Sequence, residues 1–258
     1  MEISLKNRVA LVTGSAQGIG AGIARVLARA GADVVVCDIQ AEGGQATAAE
    51  VAEIGSRSLF VLADISDPVA VSAMMDQVAA EFGHLDILVN NAAIEYFRSI
   101  EDTTIDEWDR TQEVDLKGIF LMTKFALPLL KKSDHAVVVN ISSVHSVATI
   151  PDLGAYAAAK GGIVALTRSL AQDLGREEIR AICVSPGFIN SPMAQAWFDS
   201  QPDPQATLDR VDAMHPVGHI GEPEDIGNFI AFACSDKGGF INGVNVVIDG
   251  GLTSKLHH

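Results

Sequence analysis

The chain has 258 residues, with 18 basic and 33 acidic side chains and a formal net charge of -15. Hydrophobic residues make up 48% of it, enough for the core of one large α/β domain. So acidic a surface repels phosphate backbones and anionic lipid, which excludes nucleic acid as an expected partner, and no apolar run is long enough to span a membrane.

Met1-Glu2-Ile3-Ser4-Leu5-Lys6 lacks the apolar core of a signal peptide. The first strand is the apolar run 9–12, ending at Thr13-Gly14. Helical periodicity follows over about 20–30, and Gly31 stops it. The alternation then repeats. Strands are predicted at 34–37, 59–62, 87–89, 137–139, 182–184 and 244–248, and helices at about 40–54, 68–82, 106–131, 155–174 and 223–234. Continuously apolar strands alternating with helices imply a doubly wound parallel sheet with helices on both faces. No linker or repeat divides residues 1–258, so a single domain is expected. The rhythm breaks between Pro186 and Pro216, where Pro192, Pro202 and Pro204 also fall. This stretch reads as an irregular substrate lid at about 188–216. Cys37, Cys183 and Cys234 each sit in an apolar run without metal-ligand spacing, so no metal site is expected. They read as buried thiols of a reducing compartment, hence a cytoplasmic protein. His257-His258 reads as the remnant of a purification tag.

Thr13-Gly14-Ser15-Ala16-Gln17-Gly18-Ile19-Gly20 lies between a strand and a helix. Glycines there permit a tight turn against a pyrophosphate, and the helix amino end offers unpaired N–H groups and a positive partial charge. The spacing is G-x-x-x-G-x-G rather than the commoner G-x-G-x-x-G. Asp38 ends the second strand and is followed by Ile39-Gln40-Ala41-Glu42, with no cation. A carboxylate at that place accepts hydrogen bonds from adenosine ribose hydroxyls and repels a 2′-phosphate, so NAD is favoured over NADP. Arg8 and Arg25 remain possible phosphate partners, and a plain capping role for Asp38 stays open. Asp64-Ile65 follows the third strand, where it can bracket an adenine ring. Asn90-Asn91-Ala92-Ala93 follows the fourth, beneath the expected nicotinamide ribose.

Tyr156 and Lys160 stand four apart, on one face of a helix. A phenol is a poor base at neutral pH, but a nearby ammonium and a nicotinamide charge stabilise the phenolate and lower its pKa. Ser143, just after a strand, can orient the reacting oxygen. In the oxidation direction Tyr156 would take the hydroxyl proton as hydride leaves carbon.

These motifs, with Pro186-Gly187 and the closing Asp249-Gly250-Gly251, run the length of a chain that resembles the short-chain dehydrogenase/reductases. The resemblance implies a Rossmann-type sheet, Lys160 also binding the nicotinamide ribose, and Pro186 to Ile189 with Ser191 at the carboxamide end. It also implies a homotetramer built through the helices at 106–131 and 155–174. Two positions depart from the family pattern. Ala93 stands where the family usually has glycine. Asp115, in Val114-Asp115-Leu116-Lys117-Gly118, stands where it usually has an asparagine that holds a water in a proton relay behind Lys160. An ionised aspartate accepts but cannot donate, and it can pair with Lys160 and change the pH optimum. Activity is expected to survive.

Candidate pocket residues are Glu95, Tyr96, His145, Ile150, Leu153, Phe188, Met193 and Trp197. Glu95 and His145 can each bind a hydroxyl, which suits a sugar or cyclic polyol. Ser142-Ser143-Val144-His145 and Ile220-Gly221-Glu222-Pro223-Glu224 are similar to sugar 1-dehydrogenases of the same family. The lid has one basic residue, Arg210, which argues against an acyl-carrier-protein substrate. The reading is therefore an NAD-dependent oxidation of a secondary alcohol. Reduction of a 3-oxoacyl or hydroxysteroid-type ketone is the alternative, and a nucleotide-binding regulator that has lost catalysis is a remote one.

Overall fold

A computed structural model describes residues 3–255; Met1, Glu2 and the His257-His258 pair lie outside the described residues. Seven strands form one parallel sheet in the order β3-β2-β1-β4-β5-β6-β7. They are β1 (Val9–Thr13), β2 (Asp33–Asp38), β3 (Ser58–Leu62), β4 (Ile87–Asn90), β5 (Val137–Ile141), β6 (Arg180–Pro186) and β7 (Asn245–Ile248). The helices are α1 (Gly18–Arg29), α2 (Ala41–Ile54), α3 (Pro68–Phe82), α4 (Ile105–Gln112), α5 (Gly118–Leu130), α6 (Gly154–Leu174), α7 (Pro192–Asp199), α8 (Pro204–Met214) and α9 (Pro223–Cys234).

Successive strand side chains point to opposite faces, and both faces are buried. Val12 and Val36 pack with Ile23 and Leu27 of α1, Val51 of α2 and Ile226 and Ile230 of α9. Leu11 and Val35 pack on the other side with Met74 and Val78 of α3 and Met122 and Leu130 of α5. The chain winds outward from β1 through β2 to β3, then crosses back to β4 and winds the other way. The reversal between β1 and β4 opens a crevice beyond the carboxyl ends of these strands, where ligands of such sheets bind.

Two expectations need correction. The helix predicted over 106–131 is interrupted: a π-helical turn, Glu113–Lys117, separates α4 from α5. One extra residue per turn leaves the apolar pattern nearly intact, so periodicity does not reveal it. The turn points Asp115 inward at 0% exposure and brings Gly118 so close to Ile65 that a Cβ would lie 2.8 Å from Ile65 Cδ1. Such turns recur at functional sites. The second correction concerns the lid, which holds two helices rather than irregular chain. Pro192 and Pro204 each begin a helix, where a missing N–H costs nothing. Ser191 and Asp203 cap them, their side chains accepting from Ala194 N and Ala206 N.

The three cysteines are buried and unpaired. Burial pushes the thiols of Cys37 and Cys234 up to about 12 and that of Cys183 up to about 11. Among the described residues no helix is long and apolar enough to cross a membrane.

Candidate active site

The glycine turn is shaped by contact with the β4 loop. Gly14 has φ +63°, and a Cβ there would fall 2.6 Å from Ala92 Cα. A Cβ on Gly20 would fall 2.1 Å from Gly14 O. Asn91 ties the two loops, its Nδ2 donating to Thr13 O and Gly14 O at 2.9 and 3.0 Å. Thr13 Oγ1 accepts from the N–H groups of Asn91 and Ala92. Gln17 is the N-cap of α1 and gives it no side-chain cap, so the first N–H groups of the helix stay open to an anion. That opening suits a pyrophosphate.

A cavity of about 370 Å³ runs from this turn to Ser143, Tyr156 and Lys160. Of the candidate cofactor residues, Gly14, Gln17, Gly18, Ile19, Gly20, Asp38, Ile39, Asp64, Ile65, Ala92, Pro186, Gly187, Ile189 and Ser191 line it. So do Glu95, His145, Phe188, Met193 and Trp197 from the substrate set. Tyr96 lies instead in an outer recess shared with Glu95, Met193 and Trp197. Ser15 and Asn90 are placed elsewhere. Ser15 is fully buried, with Oγ donating to Val12 O and accepting from Cys37 N. Asn90 is buried too, and its Nδ2 donates to Asn140 Oδ1 at 2.8 Å. Both hold the sheet behind the site, a distinction that position in a motif does not reveal.

Asp38 is almost buried, and backbone groups hold both its oxygens: Ala16 N donates to Oδ2 at 2.8 Å and Gln40 N to Oδ1 at 3.0 Å. Neither arginine left open by the sequence reaches it. Arg8 is bound to Cys234 O and Asp236, and Arg25 pairs with Glu50 and Glu224. Among the described residues lining the cavity, the lysine and arginine cations are Lys160 and Arg110. Arg110 belongs to no motif in the sequence. Its Nη2 donates to Asp64 Oδ2 at 2.8 Å and its Nη1 to Ser66 Oγ at 2.7 Å.

Lys160 is 2% exposed, which makes it an outlier among lysines. Its Nζ donates to Ile141 O at 3.3 Å, lies 3.6 Å from Asp115 Oδ2 and stands 5.1 Å from the Tyr156 ring centroid. Asp115 does not line the cavity; it sits behind Lys160, with Oδ1 accepting from Ile94 N at 2.9 Å. Burial raises the Asp115 carboxyl above the usual carboxylate range, although the Lys160 ammonium and the Ile94 N–H oppose the rise. The Tyr156 phenol is also raised: burial acts most, the Asp115 and Glu95 carboxyls add to it, and a hydrogen bond with Ser143 opposes them. The lowering expected from Lys160 is thus not a property of the free protein. Asp115 offsets the ammonium at close range.

Ser143 caps a 3₁₀ turn, Val144–Ser146, its Oγ accepting from His145 N. This turn sets the His145 ring edge-on to Tyr156, with centroids 5.8 Å apart, while Nδ1 meets Thr149 Oγ1 at 3.0 Å. Burial holds the His145 pKa below its ordinary value, so the ring is neutral at pH 7. Residues of the 188–216 segment line the other side. Phe188 packs against Trp197, Phe198 and His215, and a Cβ on Gly18 would lie 3.3 Å from both Pro192 Cδ and Ser191 Cβ.

Burial pushes the Glu95 carboxyl up to about 7, Lys160 opposing and Asp115 adding. The folded state therefore holds a proton that the unfolded chain has released above its ordinary value of 4.5. Stability conferred by this group is complete below that value and is lost as pH rises through about 7. The difference is worth roughly 3 kcal/mol. Glu95→Gln is expected to flatten this part of the stability profile and to be the more stable protein at pH 8, read from urea midpoints across pH. Parallel profiles for the two proteins would contradict the burial of this carboxyl.

The family described as Enoyl-(Acyl carrier protein) reductase matches residues 14–253. Cis-4-hydroxycyclohexanecarboxylate dehydrogenase of Sinomonas cyclohexanicum is 39% identical over 248 residues, 96% of this chain and 97% of its own. Meso-2,3-butanediol dehydrogenase of Serratia marcescens is 37% identical over 96% of this chain and 95% of its own. Among solved structures, levodione reductase superposes with a TM-score of 0.93 at 32% identity, over 97% of this chain and 99% of that one. The protein therefore belongs to the short-chain dehydrogenase/reductase family, oxidoreductases that act on CH–OH groups with a nicotinamide cofactor.

Proposed function

We propose that this protein is an NAD-dependent dehydrogenase of a secondary alcohol carried on a sugar, a cyclic polyol or a similar hydroxylated ring. The observation that carries the reading is one continuous cavity joining the glycine turn and Asp38 to Ser143, Tyr156 and Lys160. A bound nicotinamide dinucleotide supplies the hydride acceptor. The first N–H groups of α1 bind its pyrophosphate, and the free lone pairs of Asp38 accept from ribose hydroxyls. Ser143 Oγ holds the reacting oxygen, and Tyr156 takes the proton from that hydroxyl. Lys160 steadies the phenolate and donates to the nicotinamide ribose, while Asp115 positions Lys160 from behind. Phe188, Met193 and Trp197 exclude water over the pocket. Support for a ring or diol substrate comes from Glu95 and His145, each able to bind a second hydroxyl, and from the similarity to a cis-4-hydroxycyclohexanecarboxylate dehydrogenase and a meso-2,3-butanediol dehydrogenase. The apolar wall of Phe188 and Trp197 keeps reduction of 3-oxoacyl or hydroxysteroid-type ketones as the second reading.

The test is initial rates with NAD and NADP across aldoses, cyclic alcohols, polyols, hydroxysteroids and 3-hydroxyacyl thioesters. A 2′-phosphate beside Asp38 places like charges together, which costs several kcal/mol. NAD-linked oxidation is therefore expected to exceed NADP-linked oxidation by about 100-fold in kcat/KM. Activity confined to NADPH-linked reduction of acyl thioesters overturns both the cofactor and the substrate. Bound NAD with no turnover on any alcohol points to the regulator.

A further inference from the structure

The cavity does not end at Ser143 and Tyr156. At Glu95, Met193 and Trp197 it meets the outer recess, a space of about 970 Å³ that these residues also border. Tyr96 and Asp152 border the recess alone. The dinucleotide proposed above runs the length of the inner cavity, from the glycine turn to Lys160. Whatever the substrate carries beyond its reacting ring therefore has the recess to enter.

The recess wall is apolar where water reaches it. Tyr96, Ile150 and Met193 all line it, and they are 37%, 38% and 41% exposed. Met193 and Trp197 stand four apart on α7, so both present to one side of that helix. Tyr96 and Ile150 come from the chain after β4 and after β5. Single exposed apolar side chains are ordinary on a surface, but several gathered in a concavity beside a reaction site mark a binding wall. The charges of the recess are of one sign. Among the described residues that line it, the carboxylates are Glu95 and Asp152, and there is no lysine, arginine or histidine. Arg98 follows Phe97 but does not line the recess; its Nε faces Glu107 Oε1 at 3.4 Å. An anionic group placed here meets like charge with no cation to offset it.

We propose that the substrate is a hydroxylated ring bearing an uncharged, largely apolar arm, that this arm lies in the outer recess against Tyr96, Ile150 and Met193, and that Asp152 and Glu95 turn away anionic arms. The proposal rests on the reading of the cavity as a dehydrogenase site. It deepens that reading by naming the shape and charge of the substrate and the residues that select them. Tyr96 and Asp152 act here on the arm alone and take no part in proton or hydride transfer.

NAD-linked oxidation of four cyclohexanols tests this: cyclohexanol, 4-butylcyclohexanol, 3-(4-hydroxycyclohexyl)propanoate and the matching propanamide. The assay is run at low salt and pH 8, above the value of about 7 to which burial pushes Glu95. The butyl compound is expected to exceed cyclohexanol by about tenfold in kcat/KM, with the gain in KM because the arm is remote from the reacting bond. The propanoate is expected to fall about tenfold below the propanamide, which has the same shape without the charge. Tyr96→Ser should bring the butyl-to-cyclohexanol ratio within about threefold. Asp152→Lys should bring the propanoate level with the propanamide or above it. Both effects are read as ratios, so a general loss of activity in a variant cancels. Equal kcat/KM for cyclohexanol and its butyl derivative overturns the subsite. A propanoate-to-propanamide ratio of one in the wild type, or one that Asp152→Lys does not move, overturns the charge selection. Oxidation of aldoses with none of the cyclohexanols oxidised overturns the proposal and leaves the dehydrogenase reading intact. No turnover on any alcohol overturns both.

Discussion

Tyr156→Phe is expected to lower kcat for alcohol oxidation by about 10³-fold, the usual worth of a positioned proton acceptor, while dinucleotide affinity changes little. The substitution removes one oxygen and leaves the ring, so its edge contact with His145 and the ammonium of Lys160 over its face both survive. The loss should therefore appear in kcat and kcat/KM together, as it does when an interaction belongs to the transition state. The pH profile adds a second readout. In the free protein the phenol sits well above its ordinary value, through burial and through the Asp115 and Glu95 carboxyls. A base with a raised pKa gains its reactive form as pH rises, so wild-type oxidation should climb into the alkaline range. The residual rate of the Phe variant should not follow that climb. A Phe variant with wild-type turnover would remove Tyr156 from the proton path and leave only the family and the fold standing.

The parallel sheet was legible because its strands are apolar without alternation, and each one recurs within a few residues of its expected limits. The convergence of Gly14, Asp38, Ser143, Tyr156 and Lys160 on one cavity was legible from motif order, since each lies near the carboxyl end of a strand or on the helix that follows one. What escaped the sequence depended on direction rather than position. Ser15 and Asn90 occupy motif places, yet their side chains turn into the sheet. Arg110 meets Asp64 across 46 residues of chain, and nothing in local spacing records that contact. The π turn that buries Asp115 adds a residue without disturbing the apolar pattern. Prolines in the lid were read as breaks because a proline that starts a helix and one that ends it look alike until the preceding Ser191 or Asp203 is recognised as a cap.

Asp115→Leu and Asp115→Asn should separate two roles that the wild-type residue combines. Asp115 and Lys160 are 0% and 2% exposed at the side chain and 3.6 Å apart, so each is the other's nearest neutralising charge. Leucine removes that charge and also the acceptor for Ile94 N. Breaking a buried pair from one side costs about 3–5 kcal/mol, and the Leu variant should lose stability on that scale in urea unfolding. Asparagine keeps an oxygen for Ile94 N and removes only the charge, so its loss should be the smaller. Its larger effect should fall on catalysis. With the Asp115 carboxylate gone, one of the groups that hold the Tyr156 phenol up is gone, and the ammonium of Lys160 acts on the phenolate without an opposing charge. The alkaline limb of the oxidation profile is therefore expected to move toward lower pH by on the order of one unit. The wild-type enzyme should already be active, since Lys160 stays ordered over the Tyr156 ring with Asp115 in place. An inactive wild type restored by Asp115→Asn would show instead that the aspartate disables the proton path, and would favour a nucleotide-binding protein without turnover over the dehydrogenase.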